Sequence, residues 1–394
     1  MSGGATIPAR VARPAAAGSA LARVDGIDLL RGLSILLVVV HHLALRIPLR
    51  DGWLETFLPR RFLSSLMYNG YEGVFIFFVI SGFLIASHSI TRWGSLAHID
   101  LRAFYALRIA RIVPTLALVV GVLALFHALG VPFFVIDGAD QSLGGAVLSV
   151  IGLYLNVYEA RTGYLPGGWD VLWSLSIEEA FYLGFPLVCL LLRKTVWLVP
   201  ALVVIALSLP FTRGAITGND IWFEKAYLPG MAAIASGVLA AIALARRPQV
   251  AAAWRWSFAA IGSIGIGAML LFGHVLWAWF GGFSMLLFTT STALLVLALG
   301  WESRSTDARA PRGFGWLAAM GRASYEIYLV HMFVVFAVVG VYRATGAGIW
   351  LGFLWHVPTV LLAWALGELL ARAWSQPLNR AWRRRLVPAA GTAR

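Results

Sequence analysis

The chain has 394 residues, 60% of them hydrophobic and 12% charged, with a formal net charge of +13. Soluble domains are roughly 45–50% apolar and about 25% charged, so this composition excludes an ordinary soluble domain and points to a membrane. The basic residues fall between apolar runs, as the positive-inside rule requires, and so give no support to nucleic-acid binding.

Residues 1–24 are mostly Ala, Gly, Pro and Arg. They lack the apolar core of about 7–15 residues that a secretory signal needs, and are expected to be a disordered cytoplasmic tail. A membrane span needs about 20 mostly apolar residues. Runs of that kind lie near 29–47, 70–90, 112–130, 172–192, 196–211, 226–245, 256–277, 281–300, 316–341 and 349–372. The expected fold is therefore all-α, a bundle of about ten transmembrane helices over a single domain, 25–376, followed by a basic cytoplasmic tail over 377–394. The 17 Trp and 11 Tyr suit interfacial belts. A single cysteine, Cys189, sits in an apolar run, so no intrachain disulfide can form.

Charge sets the orientation. Arg10, Arg13 and Arg23 precede the first run. Arg92, Arg102, Arg108 and Arg111 follow the second, and Arg193 and Lys194 follow the fourth. Arg246, Arg247 and Arg255, then Arg304, Arg309, Arg312 and Arg322, then Arg383, Arg384 and Arg385 complete the set. Ten crossings put all of these, and both termini, in the cytoplasm. A further apolar stretch near 143–158 would reverse the later loops if it crossed, so it is expected to be a re-entrant or peripheral helix on the outer side. The outer connection 47–69 breaks the rule with Arg46, Arg50, Arg60 and Arg61. Lipid headgroups are the favoured partners of those charges, with an anionic acceptor as the other reading. No internal repeat or inverted pair of interrupted helices is visible, which argues against a secondary transporter.

An ionisable residue at bilayer depth is a functional candidate by default. In the first run, Arg31 and His42 are eleven positions apart. Eleven steps of about 100° bring both onto one helix face, roughly 16 Å apart along the axis. Asp28, three residues before Arg31, is placed to pair with it. A histidine titrates near neutral pH and can act as a general base or carry an acyl group. The plainer reading makes His41 and His42 interfacial residues at a helix end. They lie about 100° apart, so at most one shares the Arg31 face.

Arg108 and Arg111 present one cationic face at the mouth of the third run, suited to phosphates such as those of coenzyme A, although membrane anchoring is the commoner use of such a pair. Trp173-Ser-Leu-Ser-Ile-Glu178-Glu179 leads two carboxylates into the fourth run. One could orient an imidazole or bind an acceptor hydroxyl, or both could cap the helix with Ser174. Gly70 to Phe83 carries small residues that permit close helix approach. Glu326 and His331 lie in the ninth run, where His331 reads more readily as an interhelical hydrogen-bonder than as a catalyst.

The Arg31/His42 pair, the run GVFIFFVISGF (73–83), the segment FYALRIARIVP with Arg108 and Arg111, WSLSIEEAFYL (173–183) and SYEIYLVH (324–331) together resemble the acyltransferase-3 family of membrane O-acyltransferases. They occur in the family's order over about 25–340. The resemblance implies a ten-helix bundle in a bacterial inner membrane. A cytoplasmic acyl-CoA, usually acetyl-CoA, would reach towards His42 as catalytic base or transient acyl carrier. Arg31 would be its partner in the pore, and Arg108 and Arg111 would bind the donor. Glu178 falls on the family's glutamate-bearing motif and is grouped with the catalytic residues. No metal is called for. Members of the family modify lipopolysaccharide O-antigens, exopolysaccharides, Nod factors, peptidoglycan and macrolides, so the expected acceptor is a glycan or glycolipid hydroxyl.

There are departures. Phe75 stands where many relatives are acidic or small and polar, and Ala106-Leu107 precedes Arg108 where many carry a further arginine. The extracytoplasmic SGNH-hydrolase-like domain fused to some relatives is expected to be absent. A non-catalytic flippase of an acylated or glycosylated lipid is the alternative function, and an assembly subunit the third.

Overall fold

A computed structural model describes residues 25–305 and 313–386. The expected tail over 1–24, the side chain of Arg304, residues Arg309 and Arg312, and 387–394 lie outside the described residues. Among those described there are helices and no strands.

The first span is α1 (Asp25–Ala44), followed by the short α2 (Arg60–Tyr68) and then α3 (Gly70–Trp93). Next come α4 (Leu101–Ala128), the short α5 (Leu143–Ile151) and α6 (Leu155–Thr162), and the fourth span, α7 (Gly167–Asp170) with α8 (Trp173–Leu192). The fifth span joins α9 (Thr195–Leu207) to α10 (Leu209–Gly214), and the sixth joins α11 (Asp220–Lys225) to α12 (Tyr227–Arg246). Then follow α13 (Ala252–Phe280), α14 (Phe283–Ser305), the short α15 (Gly315–Arg322) and α16 (Ser324–Thr345). The last span runs from a 3₁₀ segment at Ile349 through α17 (His356–Leu370) into α18 (Gln376–Leu386). Ten helical segments are long and apolar enough to cross a membrane. Helices α5 and α6 have nine and eight residues. They rise only about 12–14 Å, too little for a hydrocarbon core of about 30 Å.

Two boundaries differ from those expected. The third span begins at Leu101, not near 112, because the Asp100 carboxylate accepts from the Ala103 amide at 3.0 Å and starts the helix there. Arg102, Arg108 and Arg111 interrupt the hydropathy without interrupting the helix. The expected run 316–341 is two helices, broken at Ala323 (φ −97°, ψ 11°). Neighbouring Gly321 packs on the backbone of α1, which fixes α15 apart from α16.

Helices α1, α3, α12 and α16 form the interior, while α9, α13 and α17 present large apolar side chains outwards. The inner contacts are backbone to backbone. A Cβ on Gly82 of α3 would overlap the Ile234 carbonyl oxygen, and one on Gly237 of α12 would overlap the Val79 carbonyl oxygen. Gly32 and Gly321 meet the carbonyls of Leu317 and Asp28 in the same way between α1 and α15. Small residues at helix crossings drive association where no hydrophobic effect operates.

Candidate active site

Helix α1 offers two polar positions to α16. Arg31 Nη2 donates to Ser324 Oγ at 2.9 Å and Nη1 lies 3.6 Å from Asp28 Oδ1. The His42 ring sits 5.1 Å from the His331 ring, centroid to centroid. Eleven residues of α1 and seven of α16 separate these contacts, so the two helices run in the same direction. The long Arg31 side chain takes up the difference of about 6 Å in rise. His41 turns away, with Nδ1 2.8 Å from the Met67 carbonyl of α2. Two adjacent histidines are thus divided between different neighbours, as their angular separation on a helix requires.

His331 is fully buried. Its Nδ1 lies 2.7 Å from the Tyr328 carbonyl, an oxygen that can only accept, so Nδ1 carries the proton and Nε2 is left as an acceptor. That Nε2 is buried and bonds to nothing. The expected interhelical hydrogen bond is not made: Nδ1 bonds within α16 and Nε2 to nothing. Tyr328 is held in turn by Ser174 Oγ at 2.7 Å and by the Val171 carbonyl at 2.7 Å. Ser174 consequently does not cap α8.

At the Arg31 end, Glu178 is not a cap either. Its Oε1 accepts from Ser81 Oγ of α3, and from the Tyr182 hydroxyl at 2.5 Å. The Arg108 guanidinium lies 4.3 Å above the Tyr182 ring and that of Arg111 5.5 Å from the Tyr325 ring. Both arginines therefore turn towards α8 and α16. Ser324, beside Tyr325, is the residue that Arg31 contacts, so Arg31, Arg108, Arg111 and Glu178 share one half of the interior.

Ser81 and Tyr182 stood inside motifs already singled out, but no role was legible for them. The usable signal is that Tyr182 follows Glu178 by four residues, one helical turn. His88 lies two turns beyond Ser81 on α3, within Coulombic reach of Arg108, Arg111 and Arg383. Arg383 belongs to α18, which packs along α4 beyond the indole of Trp374, itself bonded to the Pro114 carbonyl at 3.0 Å.

At the His42 end, Arg46 Nη1 donates to the His42 carbonyl at 2.7 Å, and its guanidinium lies 4.8 Å above the Phe336 ring. Nearby, buried Lys225 bridges Glu159, at 2.8 Å, and Asp170. The Glu159 Oε1 atom also accepts from the Leu165 amide at 3.1 Å. This triad ties α6, α7 and α11 together beside the catalytic candidate. Burial, with Asp170 close by, holds the Glu159 carboxyl well above the usual carboxylate range.

A profile of the acyltransferase domain matches residues 24–368. The chain belongs to the acyltransferase-3 family. A peptidoglycan O-acetyltransferase, OatA of Listeria monocytogenes, is 28% identical over 213 residues, 52% of this chain and 30% of that protein. The O-acetyltransferase OatA of Staphylococcus aureus is 24% identical over 385 residues, 91% of this chain and 57% of that protein. The chain thus spans little more than half the length of the Staphylococcus relative and less of the Listeria one. No solved structure matches. The five ordered motifs all fall within the matched acyltransferase domain.

Proposed function

We propose that this chain is a membrane O-acetyltransferase. It takes an acetyl group from a cytoplasmic acyl-CoA at the Arg31 end and passes it to a glycan hydroxyl at the His42 end. The observation that carries the reading is that one helix, α1, presents Arg31 and His42 to the same neighbour at two depths, with Arg108 and Arg111 beside the first. In this reading the Arg31 end and both termini face the cytoplasm of a bacterial inner membrane, an orientation that the basic loops support.

The donor pyrophosphate and phosphate would be held by the Arg108 and Arg111 forks. The acyl arm would extend past Glu178 towards His42. His42 removes the proton of the acceptor hydroxyl as its oxygen attacks the thioester carbon. The new C–O bond forms, the C–S bond breaks, and the proton passes to the departing CoA thiolate. In the covalent variant the His42 imidazole attacks first, releases CoA, and yields the acetyl group to the hydroxyl in a second step. Peptidoglycan, named for the Listeria relative, is the first acceptor to try.

The test is transfer of label from acetyl-CoA to cell-wall glycan in membranes carrying the chain. His42→Ala should lose most of the transfer. Undiminished transfer in that variant would remove His42 from the mechanism, and glycolipid movement without transfer would make the chain a flippase.

A further inference from the structure

The proposed reaction leaves the buried Arg213 cation unused. Arg213, at the end of α10, is 8% exposed. Its guanidinium lies 5.0 Å from the Tyr71 ring, 4.5 Å from Phe223 and 5.1 Å from Trp277. Three helices, α3, α11 and α13, thus supply the walls of an aromatic cage. Inside it, Arg213 Nε and Nη1 are buried and donate to nothing, and the Tyr71 hydroxyl is buried without a partner as well. Leaving such donors unpaired is costly, the more so on a charged group. Among the described residues no carboxylate lies within 4.0 Å of the guanidinium. Glu72 and Glu224 are the acidic groups around the cage, Glu72 within Coulombic reach of Arg213 and Glu224 of Tyr71.

The loop arginines at the same end are different. Arg50 lies 3.7 Å from Asp51, and Arg60 lies 3.4 Å from Asp51 and 3.6 Å from Glu55. Their charge is spent within the connection. Arg50 keeps one unbonded donor, Nε, beside its Asp51 partner, whereas Arg213 keeps two, inside three aromatic walls. Its position is close to the chemistry. Tyr71 adjoins Gly70, and a Cβ on Gly70 would overlap the His41 ring. Trp277, the outermost wall, is 40% exposed, so the cage is one side chain away from the surroundings.

We propose that Arg213 and Tyr71 form an oxyanion-binding site for the acceptor, so that the glycan taken at this end carries a carboxylate or phosphate group. A carboxylate or phosphate oxygen accepts a charge-assisted bond from one of the free guanidinium donors, Nε or Nη1, and the Tyr71 hydroxyl gives another. The site then sets which glycan is acetylated, and His42 sets where. This rests on the reading that acetyl transfer occurs at the His42 end, but its test needs no turnover.

The full chain is placed in phosphatidylcholine nanodiscs and binding is followed by saturation-transfer NMR with glucuronate and glucose as probes. Glucuronate should bind saturably and glucose at least tenfold more weakly. Arg213→Gln should weaken glucuronate by roughly tenfold to a hundredfold, the range of a charge-assisted bond. Tyr71→Phe, which keeps the cage intact, should weaken it several-fold, so the test survives if Arg213→Gln fails to fold. Arg61→Gln should leave it unchanged. Glucuronate binding that ignores both cage variants, or equals that of glucose, overturns the proposal. So does loss of glucuronate binding when phosphatidylglycerol is added, because the site would then belong to a lipid headgroup. If binding follows the prediction while acetyl transfer is absent, the transfer reading fails and the oxyanion site stands.

Discussion

The imidazoles of His42 and His331 stand 5.1 Å apart on helices that run the same way, and the Nε2 of His331 is buried without a partner. A proton acceptor is therefore stored beside the candidate base. His331→Phe keeps the ring and removes both nitrogens. Turnover should fall roughly tenfold to a hundredfold with the KM for acyl-CoA unchanged, against a loss of about 10²–10⁴ for His42→Ala. A His331→Phe enzyme with normal turnover and only a lowered Tm would reduce His331 to a packing residue.

Arg108 and Arg111 hold their guanidiniums over Tyr182 and Tyr325. Arg108→Ala and Arg111→Ala should raise the KM for acyl-CoA, each by about tenfold, the loss of one charge-assisted contact. Steady-state assays at varied acyl-CoA separate this from a change in kcat. A lowered kcat with the KM untouched would count against a donor site here.

The α3–α12 crossing has no room for side chains at Gly82 and Gly237. Gly237→Val should abolish the folded state or lower Tm by many degrees, because the neighbouring atom is backbone and cannot move aside. Gly184 of α8 has open space at its Cβ. Gly184→Ala should be neutral or raise stability by about 0.5–1 kcal/mol through better helix propensity. Thermal unfolding in detergent reads both signs in one experiment.

Lys225 is buried between Glu159 and Asp170. Lys225→Met leaves uncompensated carboxylates and should cost about 3–5 kcal/mol. Adding Glu159→Gln and Asp170→Asn should recover much of that, since the harm lies in the stranded charge and not in the lost pair. A triple variant as unstable as Lys225→Met would show that the triad acts through shape.

Much of the bundle was legible because hydropathy and length are local properties. The Arg31–Asp28 pair at 3.6 Å was legible too, because three residues on a helix fix the geometry. The start of α4 was hidden by arginines that a hydropathy average counts against a span, although Asp100 caps the helix there. The partners of Glu178 and Lys225 were not legible at all. Ser81 is 97 residues from Glu178, and Glu159 is 66 from Lys225. Nothing in either segment names the other, and only the crossing of helices brings them together. Arg213 was passed over because an arginine at a helix end is ordinary in sequence. Its three aromatic walls come from distant helices.

The hydroxyl of Tyr328 joins α16 to both Ser174 and the Val171 carbonyl at the head of α8. Those bonds act as a strut. Glu178 stands one turn along α8 from Ser174, and His331 one turn along α16 from Tyr328, so the distance between them cannot change without breaking a buried pair of hydrogen bonds. Helix α4 meets α8 through the Arg108 cation on the Tyr182 ring and through Tyr105, whose hydroxyl donates to the Leu183 carbonyl at 2.7 Å. If the proposed thioester donor is taken up, the stretch of path between carboxylate and imidazole keeps a fixed length. A donor whose reactive carbon sits one methylene too far along its arm would miss the imidazole, and acyl-chain selection would follow from a ruler made of two helices.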